Sequence, residues 1–171
     1  MKRFYFLFIL MVICLLIAIG GKSAPIIYFR LFYLLALLLA VSVLWTYFNL
    51  RKVAVSIERP HGHLEVGDIL QSDIIVRNST PFHKLVLELT DLTRIPGHQS
   101  STLMSLPPNT AKRWKTHATL QKRGTYLLGD LVVTSSDPFG VYQRSKIFSS
   151  TDEVTIFPRV THLPNLYIPS K

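Results

Sequence analysis

The apolar positions along this chain follow two patterns that change at residue 51. Before that point they run almost without interruption: 39 of the first 50 residues are apolar, against 44 of the remaining 121. After it, apolar and polar residues alternate in short runs. Such a break is atypical of one water-soluble globule. The pattern therefore predicts an apolar helical part, residues 1–50, and a separate β-rich domain, residues 51–171.

Two uncharged runs in the first part have the length of transmembrane helices. Residues 4–21 and 31–50 carry no charged side chain, and at about 1.5 Å per residue they reach roughly 27 and 30 Å, near the hydrocarbon thickness of a bilayer. Pro25 interrupts the chain between them. Because neither run has an ionisable interior, we predict a hairpin that anchors rather than transports. Ser42 and Thr46 are expected to bond to carbonyls of their own helix.

The charges that flank the two runs predict an orientation. One side carries Lys2, Arg3, Arg51, Lys52 and Arg59, and the other carries Lys22 and Arg30. This bias favours a multi-pass protein with both termini in the cytoplasm. A cleaved signal peptide is the alternative for the first run, but Lys22 and Pro25 make the small-residue site at 23–24 a poor cleavage context.

The second part shows the period of two that is typical of half-buried strands. Val53, Val55 and Ile57 alternate with polar residues. Further β-rich runs are expected at 69–77, 84–92, 111–120, 126–135, 141–148 and 153–157, whereas the Pro- and Gly-containing segment 95–109 is expected to be a long loop. Seven short strands separated by turn signals predict an antiparallel β-sandwich of immunoglobulin-like kind.

Charge and composition exclude several classes of function. The net charge of +9 divides into +4 before residue 51 and +5 after it, and no stacking aromatics or nucleic-acid motif accompany the basic residues. Nucleic acid is therefore not expected as a partner, and no small-molecule substrate is evident. Cys14 is the single cysteine, which excludes a disulfide-stapled scaffold.

No constellation of residues predicts catalysis, a cofactor or a metal. No Gly-x-Ser-x-Gly turn or glycine-rich phosphate loop occurs in the sequence. His61 and His63 have the spacing of two metal ligands on a strand, but a third ligand is missing and the pair lies in a turn. A solvated loop is therefore expected there, and the chain is not expected to be an enzyme.

Two turns give the sharpest local signals. Asp, Pro and Gly at the first, second and fourth positions of 137–140 match a type I β-turn, in which the carboxylate bonds backbone N–H groups. Phe139, in this turn, is expected to be buried in the sandwich. Segment 121–124 reads as the tip between two strands, with Gly124 at positive φ. The adjacent Lys122 and Arg123 are expected to be solvated.

The motifs 122–129, 137–142, 154–160 and 163–164 occur in an order that resembles one family. It is the bacterial membrane-protein family called "domain of unknown function fifty-eight", which is often encoded beside MoxR-type AAA ATPases. The Val-Gly-Asp turn at 66–68 and the preceding hairpin are also similar. Candidate interaction residues carried by the resemblance are Lys122, Arg123, Gly124, Tyr126, Gly129, Asp137, Pro138, Phe139, Gly140, Pro158 and Arg159.

The resemblance implies a bacterial plasma-membrane protein with a scaffolding or protein-interaction role. Its implied partners are the lipid bilayer, a MoxR-type AAA ATPase and proteins similar to von Willebrand factor A. Family members continue past the Leu-Pro at 163–164 into a Gly-Asp and Trp segment and a von Willebrand factor A-like domain, which this sequence lacks. The alternative interpretation is therefore a truncated subunit of an enzyme or cell-envelope assembly whose active part lies in that missing region.

Overall fold

Two long apolar helices open the fold. The computed structural model describes residues 2–21, 25–59, 64–93, 95, 100–150 and 152–159. Helix α1 spans Lys2–Gly20 and α2 spans Pro25–Leu50. Both are long and apolar enough to cross a membrane, so the prediction of two apolar helices is confirmed. The second begins six residues before the predicted span, because a proline without an N–H suits the first helical turn.

The two helices pack on one another through a narrow stripe and expose the rest of their surface. Cys14 and Ala18 of α1 and Leu35 and Leu39 of α2 are buried, and the helices contact one another along their length. Most other apolar side chains on both helices face outward; Leu37, for example, is 66% exposed. An exposed apolar surface of this extent needs an apolar surrounding or a partner.

Ten strands follow the helices. They are β1 Val53–Glu58, β2 Leu64–Glu65, β3 Ile69–Asn78, β4 Lys84–Asp91, β5 Ser100–Leu106, β6 Ala111–Thr119, β7 Gly124–Leu127, β8 Leu131–Ser136, β9 Gln143–Phe148 and β10 Glu153–Phe157. Three sheets result, with strand orders β1-β3-β6, β2-β10-β7 and β5-β4-β8-β9. The pairing is antiparallel except between β2 and β10. The expected antiparallel β-domain is therefore confirmed.

The two larger sheets enclose the main hydrophobic core next to α2. Alternate residues of β3, such as Ile74 and Val76, face Leu87 and Leu89 of β4, and all four are buried. Leu50, the last residue of α2, belongs to the same core. Burying each such side chain contributes about 1.5–3 kcal/mol. The end of the hairpin is thus part of the packing of the β-domain.

A second, smaller core lies at the far end of β3. It joins Leu70 of β3 and Leu120 to Leu128, Val154 and Ile156 around the small β2-β10-β7 sheet. β3 pairs with β1 at Asn78 beside the hairpin and with β6 at Ile69 beside this second core. Ten strand residues place the two ends of the domain roughly 30 Å apart.

The structure corrects the strand assignment in three places, and ten strands replace the predicted seven. The two-residue strand β2, which pairs with β10, is too short to show an alternating pattern. Segment 95–109 is not a long loop, since β5 lies within it and pairs with β4 alone; its Ser- and Thr-rich sequence is tolerated at a sheet edge that leaves one side in water. The run 126–135 is not one strand, because β7 and β8 belong to different sheets. Gly129 lies at this crossing, where an added Cβ would approach the Leu92 carbonyl oxygen to 2.1 Å.

The turn at 121–124 likewise passes between sheets. β6, before it, pairs with β3, and β7, after it, pairs with β10. Gly124 has φ +147°, as expected for this position. The segment is therefore a connection between two strands, although it does not close a hairpin.

Candidate functional site

One face of α2 carries the polar residues that attach the hairpin to the β-domain. Ser42, Thr46 and Asn49 are buried and continue the Leu35–Leu39 stripe at spacings of three and four residues, which places them on a single helical face. Towards its end α2 contacts β4, β8 and β9. A polar stripe at helical spacing in an otherwise apolar helix is the sequence signal that could have revealed this contact.

The side-chain amide of Asn49 bonds the backbone of β4 in the way that a neighbouring strand would. Its Nδ2 donates to the Leu85 carbonyl at 2.6 Å and to Ser135 Oγ at 2.7 Å, and its Oδ1 accepts from the Leu85 N–H at 3.0 Å. One side-chain amide thus satisfies both backbone groups of Leu85, which would otherwise lack partners near the core. Asn49 was not among the residues singled out in the sequence.

Asp137 joins the turn at 137–140 to the middle of α2. Its carboxylate accepts from the N–H groups of Phe139 at 3.1 Å and Tyr142 at 2.6 Å, and from Ser42 Oγ at 3.0 Å. The Gly140 N–H donates to the Asp137 carbonyl at 3.1 Å, and Gly140 has φ +65°. The predicted β-turn and the predicted role of the carboxylate are therefore confirmed.

Two expectations about this region need correction. Phe139 is 57% exposed, so the prediction that it is buried in the sandwich is wrong; the turn projects it away from the core that β8 helps to form. Thr46 does bond to the carbonyls of Ser42 and Val43, as expected. Ser42 does not bond to its own helix, because its hydroxyl is directed at Asp137.

The amino-terminal turn of α1 reaches the same turn from the other side. The rings of Phe4 and Tyr142 lie 5.3 Å apart between centroids, and Arg3 Nη1 lies 3.3 Å from where a Cβ on Gly140 would be. The guanidinium of Arg144 stacks over the Tyr47 ring at 5.7 Å. Both helices therefore hold the 137–142 segment, and its contacts are aromatic and cationic as well as hydrogen-bonded.

Lys84 closes the last turn of α2. Its Nζ donates to the Phe48 carbonyl, one of the carbonyls that the end of a helix leaves without an intrahelical partner. Burial lowers the pKa of Lys84, and the nearby positive charge of Arg51 lowers it further. A cation at this position also complements the negative end of the helix dipole. We call Ser42, Asn49, Lys84 and Asp137 the docking junction.

A buried ionic cluster stabilises the opposite region of the domain. Arg59 lies 3.8 Å from Asp91 and 3.7 Å from Asp152, and it donates to the Gly129 carbonyl at 3.1 Å. Burial lowers the pKa of Arg59, while Asp91 and Asp152 oppose that shift. Arg59 is one of the flanking charges that predict the orientation, yet its side chain is enclosed with carboxylates rather than presented to a membrane surface.

The residues predicted from the motifs separate into three places. The first place is the docking junction, which contains Asp137 and lies beside the rest of its turn, Pro138, Phe139 and Gly140. The second is the ionic cluster, where the Gly129 carbonyl accepts from Arg59. The others meet at the far end, because Gly124 pairs with Ile156 and brings 121–123 alongside the chain that follows β10. We call this set, all exposed except for half-buried Tyr126, the distal end: Lys122, Arg123, Tyr126, Pro158 and Arg159.

The described sites hold parts of the protein together through hydrogen bonds and ion pairs. Within the described residues no group of three or more His, Cys, Asp or Glu side chains could hold a metal ion. His61 and His63, weighed as ligands, lie outside the described residues, as do Lys22 and the Leu-Pro at 163–164. The docking junction fixes the hairpin against the β-domain through buried hydrogen bonds, which makes their relative position specific.

Comparisons with known proteins give distant structural likenesses. No protein-family model and no curated protein matches the sequence. The CARDB domain of a Pyrococcus furiosus protein, solved with di-metal ions, is 17% identical, with a TM-score of 0.44 over 63% of this chain and 94% of that one. A β-glucosidase from Listeria innocua with glucose is 15% identical, with a TM-score of 0.39 over 64% of this chain and 16% of that one.

A late embryogenesis abundant protein is 9% identical, with a TM-score of 0.41 over 71% of this chain and 84% of that one. At such scores the likenesses carry no argument about activity, ligand or partner. The functional conclusion therefore rests on the residues themselves.

Proposed function

We propose that this protein is a membrane-anchored scaffold that presents an immunoglobulin-like β-domain to a protein partner. The observation that carries the proposal is the contrast between the two sides of the hairpin. Its outward side is apolar along helices of about 28 and 39 Å. Its buried polar side chains form hydrogen bonds with the β-domain. Lipid is the surrounding that satisfies such an exposed surface.

The attachment supports a scaffold rather than a tethered domain. Loop-linked domains move freely relative to their anchors, whereas here Leu50 lies in the β-core and Asn49 completes the bonding of β4. The β-domain is thereby held at a defined angle to the membrane. A fixed angle between the β-domain and the membrane suits a protein that holds a binding surface at a set distance from the bilayer.

The surface that this arrangement displays is the distal end. It lies roughly 30 Å from the junction, as estimated from the length of β3, and carries the cations Lys122, Arg123 and Arg159. Exposed basic residues around a half-buried tyrosine suit an acidic patch on a partner protein. In line with the family resemblance, the proposed partner is a MoxR-type AAA ATPase or a von Willebrand factor A-like protein. The proposed site of contact is the cytoplasmic side of the bacterial plasma membrane, where both termini of this chain would lie.

Site-specific photo-crosslinking tests the proposal. The full chain, with a photoreactive residue in place of Arg123, is co-expressed in bacteria with a MoxR-type ATPase. A matched probe replaces Leu103, which is 68% exposed on the edge strand β5. We expect crosslinks to the ATPase from position 123 and not from position 103. Crosslinks of equal yield from both positions, or from neither, would count against a partner site at the distal end.

A further inference from the structure

An apolar groove runs along the last turns of α2 at the docking junction. It has a volume of about 500 Å³ and lies between Leu44, Trp45 and Phe48 on the helix and Phe82, His83 and Lys84 on the β-domain. Phe82, in the connection from β3 to β4, is 67% exposed. The groove opens onto the outward face of α2, so it continues the apolar surface of the hairpin.

A basic pocket adjoins this groove. It has a volume of about 170 Å³, shares Phe48, Phe82 and Lys84 with the groove, and adds Arg51 and Lys52 just past the end of α2. No carboxylate of the described residues forms an ion pair with any of these three cations. The nearest acid along β4 is Glu88, four residues from Lys84 and therefore roughly 13 Å away.

More basic residues lie on the other side of the helix end. A second pocket of about 280 Å³ is lined by Tyr47, Arg51, Arg144 and Lys146. Arg144 lies over the Tyr47 ring and Lys146 lies over Phe148, so the positive charges of β9 are held beside the helix. Cations therefore surround the point where the hairpin enters the β-domain.

We propose that the groove and the basic pocket together bind one anionic phospholipid, with an acyl chain along Leu44–Phe48 and the phosphate among Arg51, Lys52 and Lys84. The inference rests on the proposed membrane anchoring. Two observations select this occupant: the groove is continuous with the lipid-facing side of α2, and the adjoining pocket is positively charged. A peptide of the same apolar character would leave the three cations without a counter-charge.

Quenching of Trp45 by brominated lipid tests the inference in the full chain. The chain carries Trp114→Phe so that Trp45 is the only tryptophan, and it is reconstituted into nanodiscs of phosphatidylcholine with a minority of phosphatidylglycerol. Bromine is placed on the acyl chains of one lipid or of the other at equal mole fraction. Brominated phosphatidylglycerol is expected to quench Trp45 more strongly.

Reversing the charge of two residues of the basic pocket tests whether that pocket causes the preference for phosphatidylglycerol. Arg51→Glu with Lys52→Glu should lower the preference for phosphatidylglycerol about tenfold, because each basic residue at an anionic surface contributes appreciably. The matched control, Lys122→Glu with Arg123→Glu at the distal end, changes net charge equally and should keep the preference. Equal quenching by both lipids, or a preference that survives reversal at 51 and 52, would overturn the inference.

The remaining outcomes separate this inference from the proposed anchoring. If Trp45 is quenched by neither lipid while the chain still stays in the nanodisc, a protein or a second copy covers the groove, and the lipid site is wrong. If the chain does not insert into nanodiscs at all, the anchoring proposal itself fails.

Discussion

Replacing Asp137 with alanine should destabilise the protein far more than an ordinary turn mutation. Asp137 is 4% exposed, and its carboxylate accepts three hydrogen bonds, from Ser42 and from two backbone N–H groups. Hydrogen bonds to a charged group contribute about 1.5–3 kcal/mol each, and the three are not independent. We therefore expect Asp137→Ala to cost about 3–5 kcal/mol, above the roughly 0.5–2 kcal/mol of an isolated helix cap.

A thermal melt of the full chain in detergent measures this cost. For a β-domain of this size about 3–4 °C is lost per kcal/mol, so the β-sheet circular dichroism signal of Asp137→Ala should melt roughly 10–20 °C lower. Ser42→Ala removes one of the three donors and should lose about a third to a half of that. A double-mutant cycle of the two sites should show non-additivity, because Ser42 and Asp137 share a hydrogen bond.

Glu153→Ala is the matched control. Glu153 is exposed on β10, and within the described residues its carboxylate makes no side-chain hydrogen bond or ion pair. Its melting temperature should stay at the wild-type value. If Asp137→Ala melted no lower than Glu153→Ala, or if Ser42→Ala had no effect, the hydrogen bonds at the docking junction would not stabilise the fold as described.

The other predictions follow from burial and from space. Phe139→Ala should change stability by less than about 0.5 kcal/mol, read in the same melt, because the ring is exposed. Gly129→Ala should cost about 3 kcal/mol or prevent folding, since its Cβ would meet a backbone oxygen at 2.1 Å; Gly67→Ala, in open space at φ +104°, should cost only about 1–2 kcal/mol. Arg59→Met should cost about 3–5 kcal/mol in denaturant unfolding, because it leaves Asp91 buried without this cation. A periplasm-dependent phosphatase fused to the carboxyl terminus should be silent, and strong activity would reverse the proposed topology.

The helices and most strands could be predicted because their signals are local. Uninterrupted apolar runs marked α1 and α2, and alternation marked β1, β3, β4 and β6. β5 is hard to predict because its serines and threonines give little hydrophobic signal at a sheet edge. The split between β7 and β8 is not predictable from the run 126–135, because only the folded structure shows that Gly129 lies where there is no room for a side chain.

The docking junction could be predicted only in part. The turn chemistry of 137–140 gave the backbone role of Asp137, since those partners lie within five residues. The bond to Ser42 joins residues 95 positions apart, and no local pattern encodes a contact of that range. The same is true of Asn49 with Leu85, although its place on the buried stripe of α2 was visible in the sequence.

Alkaline carbonate extraction of bacterial membranes tests whether the hairpin lies in the bilayer. The full chain should remain in the pellet at high pH and be released only by detergent, because the exposed apolar faces of both helices are held by lipid. Release of the full chain by carbonate alone would contradict membrane anchoring.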